Sequence, residues 1–279
     1  MKTTHFGLAA PLLGMVLLGM GSAVLAADAA PEKKVLNPPH TAADYAAVGK
    51  LPDWSGIWIP DQRDQNRQAR SNPPPWNAKV KPRIDELFKA LDTGQPKLMF
   101  DNCMPEAMPA WMLINHNAME VLFTPGRVTL LGESDSNRLR RIYTDGRPHP
   151  EDVYPTFHGH SIGHWEGETL VVDTISIRPQ TLFAVLEAVA VPNNGDVHVK
   201  ERIHLAGKDT LHVELEIEAP NVLTGPWKTT RIFTRERRYD IVEGICIEGD
   251  FTESTDKDGN SIFVRIPKSE DGTVYVKKP

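Results

Sequence analysis

Short runs of alternating apolar and polar residues, separated by turn signals, dominate the chain from Met119 onward. The clearest run is 211–219, where Leu, Val, Leu and Ile alternate with His and Glu. This alternation is typical of a strand with one buried face. Turn signals such as Pro125-Gly126 and Glu166-Gly167 lie between the runs. The other predicted strands in this series are 119–123, 128–133, 139–143, 169–175, 197–205, 227–235 and 239–248.

The residues before this series predict one strand and one helix. A first strand is expected over 53–59, followed by a polar loop over 61–76. Helical spacing of Ile84, Leu87 and Leu91 predicts a helix over 80–91. About nine strands in sequential hairpins, with one short helix before them, favour an all-β fold: an antiparallel barrel, closed or nearly closed. A two-sheet sandwich is the alternative.

The N-terminus has the features of a signal peptide. Lys2 precedes an apolar run interrupted by glycines, and small residues lead up to Ala26. We expect residues 1–26 to be removed, leaving a periplasmic or secreted protein without an integral membrane segment. We further expect an extended leader over 27–51, a barrel domain over 52–250, and a C-terminal hairpin or tail over 251–279.

Charge and cysteine content narrow the possible partners. The net charge of −6, without a basic block, argues against a nucleic-acid partner. The two cysteines, Cys103 and Cys246, are expected to form a disulfide in an oxidising compartment. The alternative is one catalytic and one buried thiol. Nothing in the sequence predicts the oligomeric state.

The residues with the most chemical potential are clustered. Four of the ten histidines, His149, His158, His160 and His164, lie close together in the sequence. If residues 159–165 are extended, His158, His160 and His164 share one face, near the turn that carries Asp145 and Arg147.

Four roles for this cluster remain open. A metal site is conceivable, but His-x-His alone is a weak signal, so we predict no metal and no cofactor. A second role is His/Asp acid–base catalysis of the lyase, isomerase or hydrolase type on a small, mostly apolar organic molecule. A third is binding of such a molecule without catalysis, as in lipocalins. The fourth is a structural role, in which the histidines cap turns.

We predict two sets of site residues. In the catalytic set, an imidazole of His149 or His160 moves the proton, Asp145 orients it, and Arg147 stabilises negative charge. Asp173 is a second carboxylate that could set the imidazole tautomer. The candidate ligand contacts are His158, His164, Trp165, His116 and Trp58.

The segments 143–150 and 159–174 resemble a signature of secreted bacterial proteins common in proteobacteria and acidobacteria. In this chain the segments read YTDGRPHP and GHSIGHWEGETLVVDT. Similar proteins carry a Cys-x-Pro element like Cys103-Met-Pro105 and a late cysteine like Cys246, so the resemblance implies a disulfide. They more often carry Arg in place of His164. By analogy of fold only, the strand pair of 165–174 resembles calycin barrels, the lipocalin and fatty-acid-binding group.

Overall fold

Nine strands close into a barrel in the computed structural model, which describes residues 35–96, 106–114, 118–244, 251–255, 257 and 261–265. The described residues form thirteen strands, of which four lie outside the barrel. In chain order all thirteen are β1 (Ile57–Pro60), β2 (Met119–Thr124), β3 (Arg127–Gly132), β4 (Leu139–Tyr143), β5 (His160–Glu166), β6 (Thr169–Ile175), β7 (Leu182–Leu186), β8 (Val189–Pro192), β9 (His198–Gly207), β10 (Thr210–Glu218), β11 (Trp227–Glu236), β12 (Phe251–Thr255) and β13 (Ser261–Arg265).

The order around the barrel is β1-β11-β10-β9-β6-β5-β4-β3-β2, and β2 pairs with β1 to close it. The prediction of an all-β barrel is therefore confirmed over the two-sheet sandwich. The pairs β7-β8 and β12-β13 form two separate two-stranded sheets. The β7-β8 hairpin is not among the predicted strands, because its strands are continuous apolar runs without alternation.

The described helices are α1 (Ala42–Val48), α2 (Gln62–Ser71), α3 (Lys81–Asp92), α4 (Ala110–Leu113) and α5 (Ser134–Asn137). The predicted helix over 80–91 corresponds to α3. Two other predictions are wrong. α1 interrupts the expected extended leader and begins with a capping box made by Thr41 and Asp44. α2 replaces the expected loop, and its buried side includes two glutamines, so the sequence shows no apolar stripe.

One barrel pair, β4-β5, is parallel, whereas the other barrel pairs are antiparallel. Parallel neighbours need a crossover connection, and here it is the segment 144–159. This segment carries the predicted residues Asp145, Arg147, His149 and His158. The crossover therefore places the histidine-rich motif beside the barrel wall.

Alternation along the strands divides the interior from the outer face. In β6, Leu170, Val172 and Thr174 are buried, while Val171 and Asp173 lie on the outer face and are half-buried. The buried residues join a core cluster that includes the side chains of α4 and of the β7-β8 hairpin. These elements belong to one compact unit, which begins at His40.

The final predicted strand, 239–248, is wrong in its described part. Residues 239–244 contain no strand. The side chain of Asn137 bonds to the Val242 carbonyl (2.8 Å) and to the Gly244 N–H (2.7 Å), and Glu133 accepts from the Val242 N–H (3.1 Å). Side chains of the β3–β4 connection therefore pair this backbone in place of a neighbouring strand.

Two other predicted features lie outside the described residues. These are the signal peptide over 1–26 and the Cys103–Cys246 disulfide. In the described part of the chain, no helix has both the length and the apolar character needed to cross a membrane.

Candidate active site

Three histidines and one carboxylate meet on the outer face of the barrel, where the crossover passes over β5, β6 and β9. Nδ1 of His149 lies 2.8 Å from Nδ1 of His160. Nε2 of His149 lies 3.3 Å from Oδ1 of Asp173, and Nε2 of His198 lies 2.8 Å from the same oxygen. The four side chains form a continuous hydrogen-bonded chain, which we call the histidine relay: His160, His149, Asp173 and His198.

The contacts of His149 determine the neutral tautomers of the relay. When His149 is neutral and donates its Nε2–H to Asp173, its Nδ1 has only a lone pair and accepts the Nδ1–H of His160. His160 then carries a lone pair on Nε2, the nitrogen that does not contact His149. A carboxylate behind an imidazole holds the ring and stabilises the imidazolium that forms on proton uptake. The relay therefore presents a basic nitrogen at His160.

The surroundings of His160 favour its neutral form. Burial lowers the pKa of this imidazole, and the neighbouring His149 and Arg147 lower it further. The ring also stacks on Tyr143, with the centroids 5.4 Å apart and 25° between the planes. These surroundings favour the unprotonated form of His160, which is the form that a general base requires.

Asp145 and Arg147 differ from their expected roles. Oδ1 of Asp145 accepts hydrogen bonds from the backbone N–H (3.2 Å) and from Nε (2.9 Å) of Arg147, and Oδ2 accepts one from Nη2 (2.5 Å). These bonds lower the pKa of Asp145 and raise that of Arg147. The guanidinium lies 4.2 Å from the Tyr143 ring centroid. Asp173, not Asp145, is the carboxylate in contact with His149. The Asp145–Arg147 pair instead packs against the Tyr143 ring through the Arg147 guanidinium.

His160 lines a cavity of about 390 Å³ between β4, β5 and the crossover, which we call the histidine pocket. This volume suits a small organic molecule. Arg141, an exposed residue of β4, lines the same pocket, and its side chain has no ion pair or hydrogen bond within the described part of the chain. The other lining side chains are those of Leu139, Arg140, Tyr143, Pro150, Asp152, Val153, Tyr154, Thr156, His158 and Ser161.

His158 does not share the outer face with His160, contrary to expectation. Gly159 has a positive φ of 68°, which ends the extended conformation before His158. The His158 ring packs against the buried Trp111, with the centroids 4.8 Å apart. Burial, and then the charges of Arg140 and Arg138, lower the pKa of His158 to about 3. A neutral, mostly buried imidazole therefore lies at the base of the histidine pocket.

The other predicted ligand contacts lie elsewhere. His164 is exposed on the outer face and contacts Glu166. Trp165 packs against Trp54 and Phe123, with the ring centroids 5.4 and 5.7 Å apart. Trp58 is completely buried and donates its indole N–H to the Trp54 carbonyl. Trp58 is a core residue, and Trp165 is a partly buried residue packed against the core. His116 lies outside the described residues.

A second depression of about 1040 Å³ crosses the outer face of β5, β6, β9, β10 and β11; we call it the outer groove. Ile162 and Val171 line it, and so do Asp173 and Arg147, which places it next to the relay. Most of the charges along it are paired, for example Arg202 with Glu166 (2.9 Å) and Lys228 with Glu216 (3.1 Å).

A charged pair that is not among the predicted site residues lies inside the barrel, behind the histidine pocket. Arg140 and Glu201 are both about 1 % exposed and form a bidentate pair, with Nη1 of Arg140 2.9 Å from Oε1 of Glu201. Ser161 and Thr174 accept further bonds from Arg140. The alternation of β9 could have predicted this pair. Glu201 lies between the inward residues Val199 and Ile203, where a buried charge is energetically costly unless it is paired.

Among the described residues, no group of three or more His, Cys, Asp or Glu side chains is arranged to hold a metal ion. The chain matches no protein-family model, and a search of curated proteins finds no significant match. The resemblance to secreted bacterial proteins stays a prediction.

Proposed function

We propose that the mature protein is an exported, cofactor-independent enzyme that acts on a small, mostly apolar organic molecule by acid–base catalysis in the histidine pocket. The observation that carries this proposal is the His160–His149–Asp173 chain. It combines a neutral imidazole facing a cavity with a second imidazole and a carboxylate behind it.

In the proposed mechanism, Nε2 of His160 removes a proton from a substrate C–H bond or from a water molecule. The positive charge that forms on His160 is stabilised through His149 by Asp173. Arg141, which lines the pocket, stabilises the negative charge that develops on substrate oxygen. His160 then returns the proton to another atom of the substrate or to the leaving group. This sequence suits an isomerase, a lyase or a hydrolase.

Two readouts test the proposal: exchange of substrate hydrogen for deuterium, which abstraction of a C–H proton causes, and hydrolysis of the substrate, which abstraction of a proton from water causes. The full-length mature protein is incubated in D₂O with a panel of small ketones, esters and lactones, and incorporation is followed by mass spectrometry. We expect exchange with the wild type and a loss of about 100-fold or more in His160→Gln. Asp173→Asn should exchange more slowly than the wild type but faster than His160→Gln.

A histidine pair away from the site supplies the control. His204 and His212 lie on neighbouring strands with their ring centroids 5.7 Å apart. His204→Gln should therefore exchange at the wild-type rate. For the wild type, the rate should fall as the pH drops through the lowered pKa of His160, below 6.5. Equal rates in His160→Gln and the wild type would sink the catalytic proposal.

The export component has its own test. Expression of the complete chain in a Gram-negative host, followed by fractionation and intact-mass measurement, should place the protein in the periplasm with Ala27 as its first residue. An uncleaved chain retained in the cytoplasm would contradict it. The same measurement gives the oxidation state of Cys103 and Cys246.

The second candidate is a small-molecule-binding protein without turnover. The outer groove favours it, because about 1040 Å³ of space with largely paired charges suits a molecule larger than the histidine pocket accepts. Native mass spectrometry of protein purified from the periplasm distinguishes the two. A stoichiometric organic ligand, together with no deuterium exchange, would favour the binding function.

A further inference from the structure

Buried polar atoms without partners are concentrated beneath α2, inside the barrel and away from the histidine relay. Arg231, an inward residue of β11, is completely buried. Its Nη1 donates to Oε1 of Gln68 (2.9 Å) and to Oγ1 of Thr229 (2.6 Å), both neutral atoms. Its Nε and Nη2 have no hydrogen-bond partner in the described part of the chain. Among the described residues, this buried guanidinium therefore has no counter-charge in contact.

The two unpaired atoms form one edge of the guanidinium. Nε–H and Nη2–H project in parallel and match the two oxygens of a carboxylate. Two other arginines of this chain use the same edge in this way. Arg147 holds Asp145 through Nε and Nη2, and Arg238 holds Glu236 through the same two atoms. In Arg231 this edge has no protein carboxylate among the described residues.

Asp64, the acidic side chain that acts on Arg231, binds other partners. The negative charge of Asp64 raises the pKa of Arg231 through space, but the Asp64 carboxylate itself accepts hydrogen bonds from Arg67 and from the side-chain amide of Gln68. Burial lowers the pKa of Arg231 to about 10, so the guanidinium is still charged at neutral pH. A buried charge with only neutral partners is costly, and an anionic ligand would offset that cost.

Gln65 adds a second, independent unpaired group. It is completely buried, and neither its Nε2 nor its Oε1 has a partner among the described residues. It lies one helical turn before Gln68. Hydrogen bonds hold both ends of α2 to β11: the Asp61 N–H donates to the Ile232 carbonyl, and the Asn72 side chain donates to the Lys228 carbonyl. Gln65 therefore supplies an amide donor on the covered side of α2.

A chain of aromatic rings begins beside Arg231. The Arg231 guanidinium lies 5.8 Å from the Trp227 ring centroid, and Phe183 of β7 lies 6.2 Å from the same ring. Trp76 contacts Phe183 at 5.4 Å, and its indole nitrogen is also buried and unpaired in the described structure. Trp76 and Ala69 line a surface depression of about 430 Å³ as well. The surroundings suit an apolar body attached to an acidic group better than a hydrated inorganic ion.

We propose that Arg231 and Gln65 form a binding site for the carboxylate of a small organic acid beneath α2, with the apolar part of the ligand against Trp227 and Phe183. The site faces the barrel interior, whereas the histidine relay faces outward. It does not depend on the proposed catalytic function.

The experiment is calorimetric titration of the full-length mature protein with acetate, benzoate and inorganic phosphate, with tryptophan fluorescence as a second readout. We expect benzoate to bind more tightly than phosphate and to change the emission, since Trp227 adjoins Arg231. Arg231→Met should weaken benzoate binding by about tenfold or more, and Gln65→Leu by several-fold. Arg63→Met, on the exposed side of the same helix, should bind as the wild type does.

Three results would overturn the proposal: no carboxylate binds the wild type, phosphate binds as well as benzoate, or Arg231→Met binds benzoate with unchanged affinity. If Arg231→Met does not fold, Gln65→Leu decides, and unchanged affinity in that variant counts against the site. Deuterium exchange dependent on His160 should persist in Gln65→Leu, so failure of one proposal is distinguishable from failure of the other.

Discussion

At the scale of single residues, two neighbouring histidines have opposite environments. His158 packs against Trp111 with its Nδ1 buried and unpaired among the described residues, whereas His160 shares hydrogen bonds on the outer face. Both have lowered pKa values, mainly because burial disfavours the charged form. His160 is less deeply buried than His158, which suits His160 to proton transfer. The deeper burial of His158 should affect the free energy of unfolding.

His158 should make the protein less stable in acid. Its pKa is about 3 in the folded protein and about 6.5 in the unfolded chain, so the unfolded chain takes up the proton first as the pH falls. The stabilising contribution is complete above pH 6.5 and is lost progressively towards pH 3. Between pH 7 and about pH 4.5 we expect His158 to lower the free energy of unfolding by about 2–3 kcal/mol.

The measurement compares urea unfolding of the wild type and of His158→Phe at both pH values. The phenyl ring keeps the contact with Trp111 and cannot be protonated, so the variant should lose less stability in acid by about 2–3 kcal/mol. All other titrating groups are common to both proteins. An identical acid loss in the two proteins would show that His158 is not kept neutral.

At the scale of elements, the crossover 144–159 decides where the site forms. Because β5 runs parallel to β4, the chain must return along the outer face before β5 begins. Gly159 makes the last turn, and a Cβ there would lie 2.5 Å from the Ile175 carbonyl oxygen. Close approach of the crossover to β6 therefore requires glycine at this position.

Comparison of two glycines tests this requirement. Gly159 and Gly167 have similar φ values, 68° and 61°, but nothing lies within 4 Å of a Cβ added at Gly167. Gly167→Ala should cost about 1 kcal/mol, for the left-handed backbone alone. Gly159→Ala should cost about 3 kcal/mol or more and should also abolish His160-dependent deuterium exchange. Similar unfolding free energies for the two variants would contradict the close approach.

The Arg140–Glu201 pair connects β4 to β9 across the interior. Removing one partner leaves the other charge buried, so Arg140→Met should cost about 3–5 kcal/mol. The double variant Arg140→Met, Glu201→Leu should recover most of that loss, because no unpaired charge remains. Chemical unfolding of the single and double variants in a thermodynamic cycle measures the coupling. Additive losses would show that the two side chains act independently.

At the scale of the whole molecule, the pairing of β1 with β11 joins the first and last barrel strands in chain order. Arg235 at the end of β11 lies over Trp58 of β1, 4.5 Å from the ring centroid. Its guanidinium donates to the backbone carbonyls of Asp53 (2.8 Å) and Ser55 (2.9 Å). The side chain is only 2 % exposed. One residue thus joins residues 180 or more positions apart in the chain.

Loss of this contact should loosen the closure. In Arg235→Met we expect hydrogen exchange to accelerate in β1 and β11 more than in β9 and β10, with a loss of about 2 kcal/mol in unfolding free energy. Arg237→Met is the matched control, because Arg237 also contacts Asp53, at 3.3 Å, but is exposed. Uniform acceleration over all strands would mean that Arg235 has no specific role in closure.

The sequence by itself determined most of the strands. A strand with one buried face alternates apolar and polar residues, and this pattern can be recognised from adjacent residues alone. β6, for example, coincides with the predicted strand 169–175. It also identified the histidine motif and its acidic neighbours. It failed for α2, where Gln65 and Gln68 occupy the buried side, and for the described part of 239–248, whose backbone bonds to Asn137 and Glu133.

Only the tertiary structure decided which of these residues meet. Asp173 rather than Asp145 contacts His149 because the crossover brings β6 beneath the motif, and His198 joins from β9. Arg140 and Glu201 tolerate burial because they face each other across the barrel. Such pairings depend on strand order and register, which join residues far apart in sequence, whereas alternation depends on adjacent residues alone.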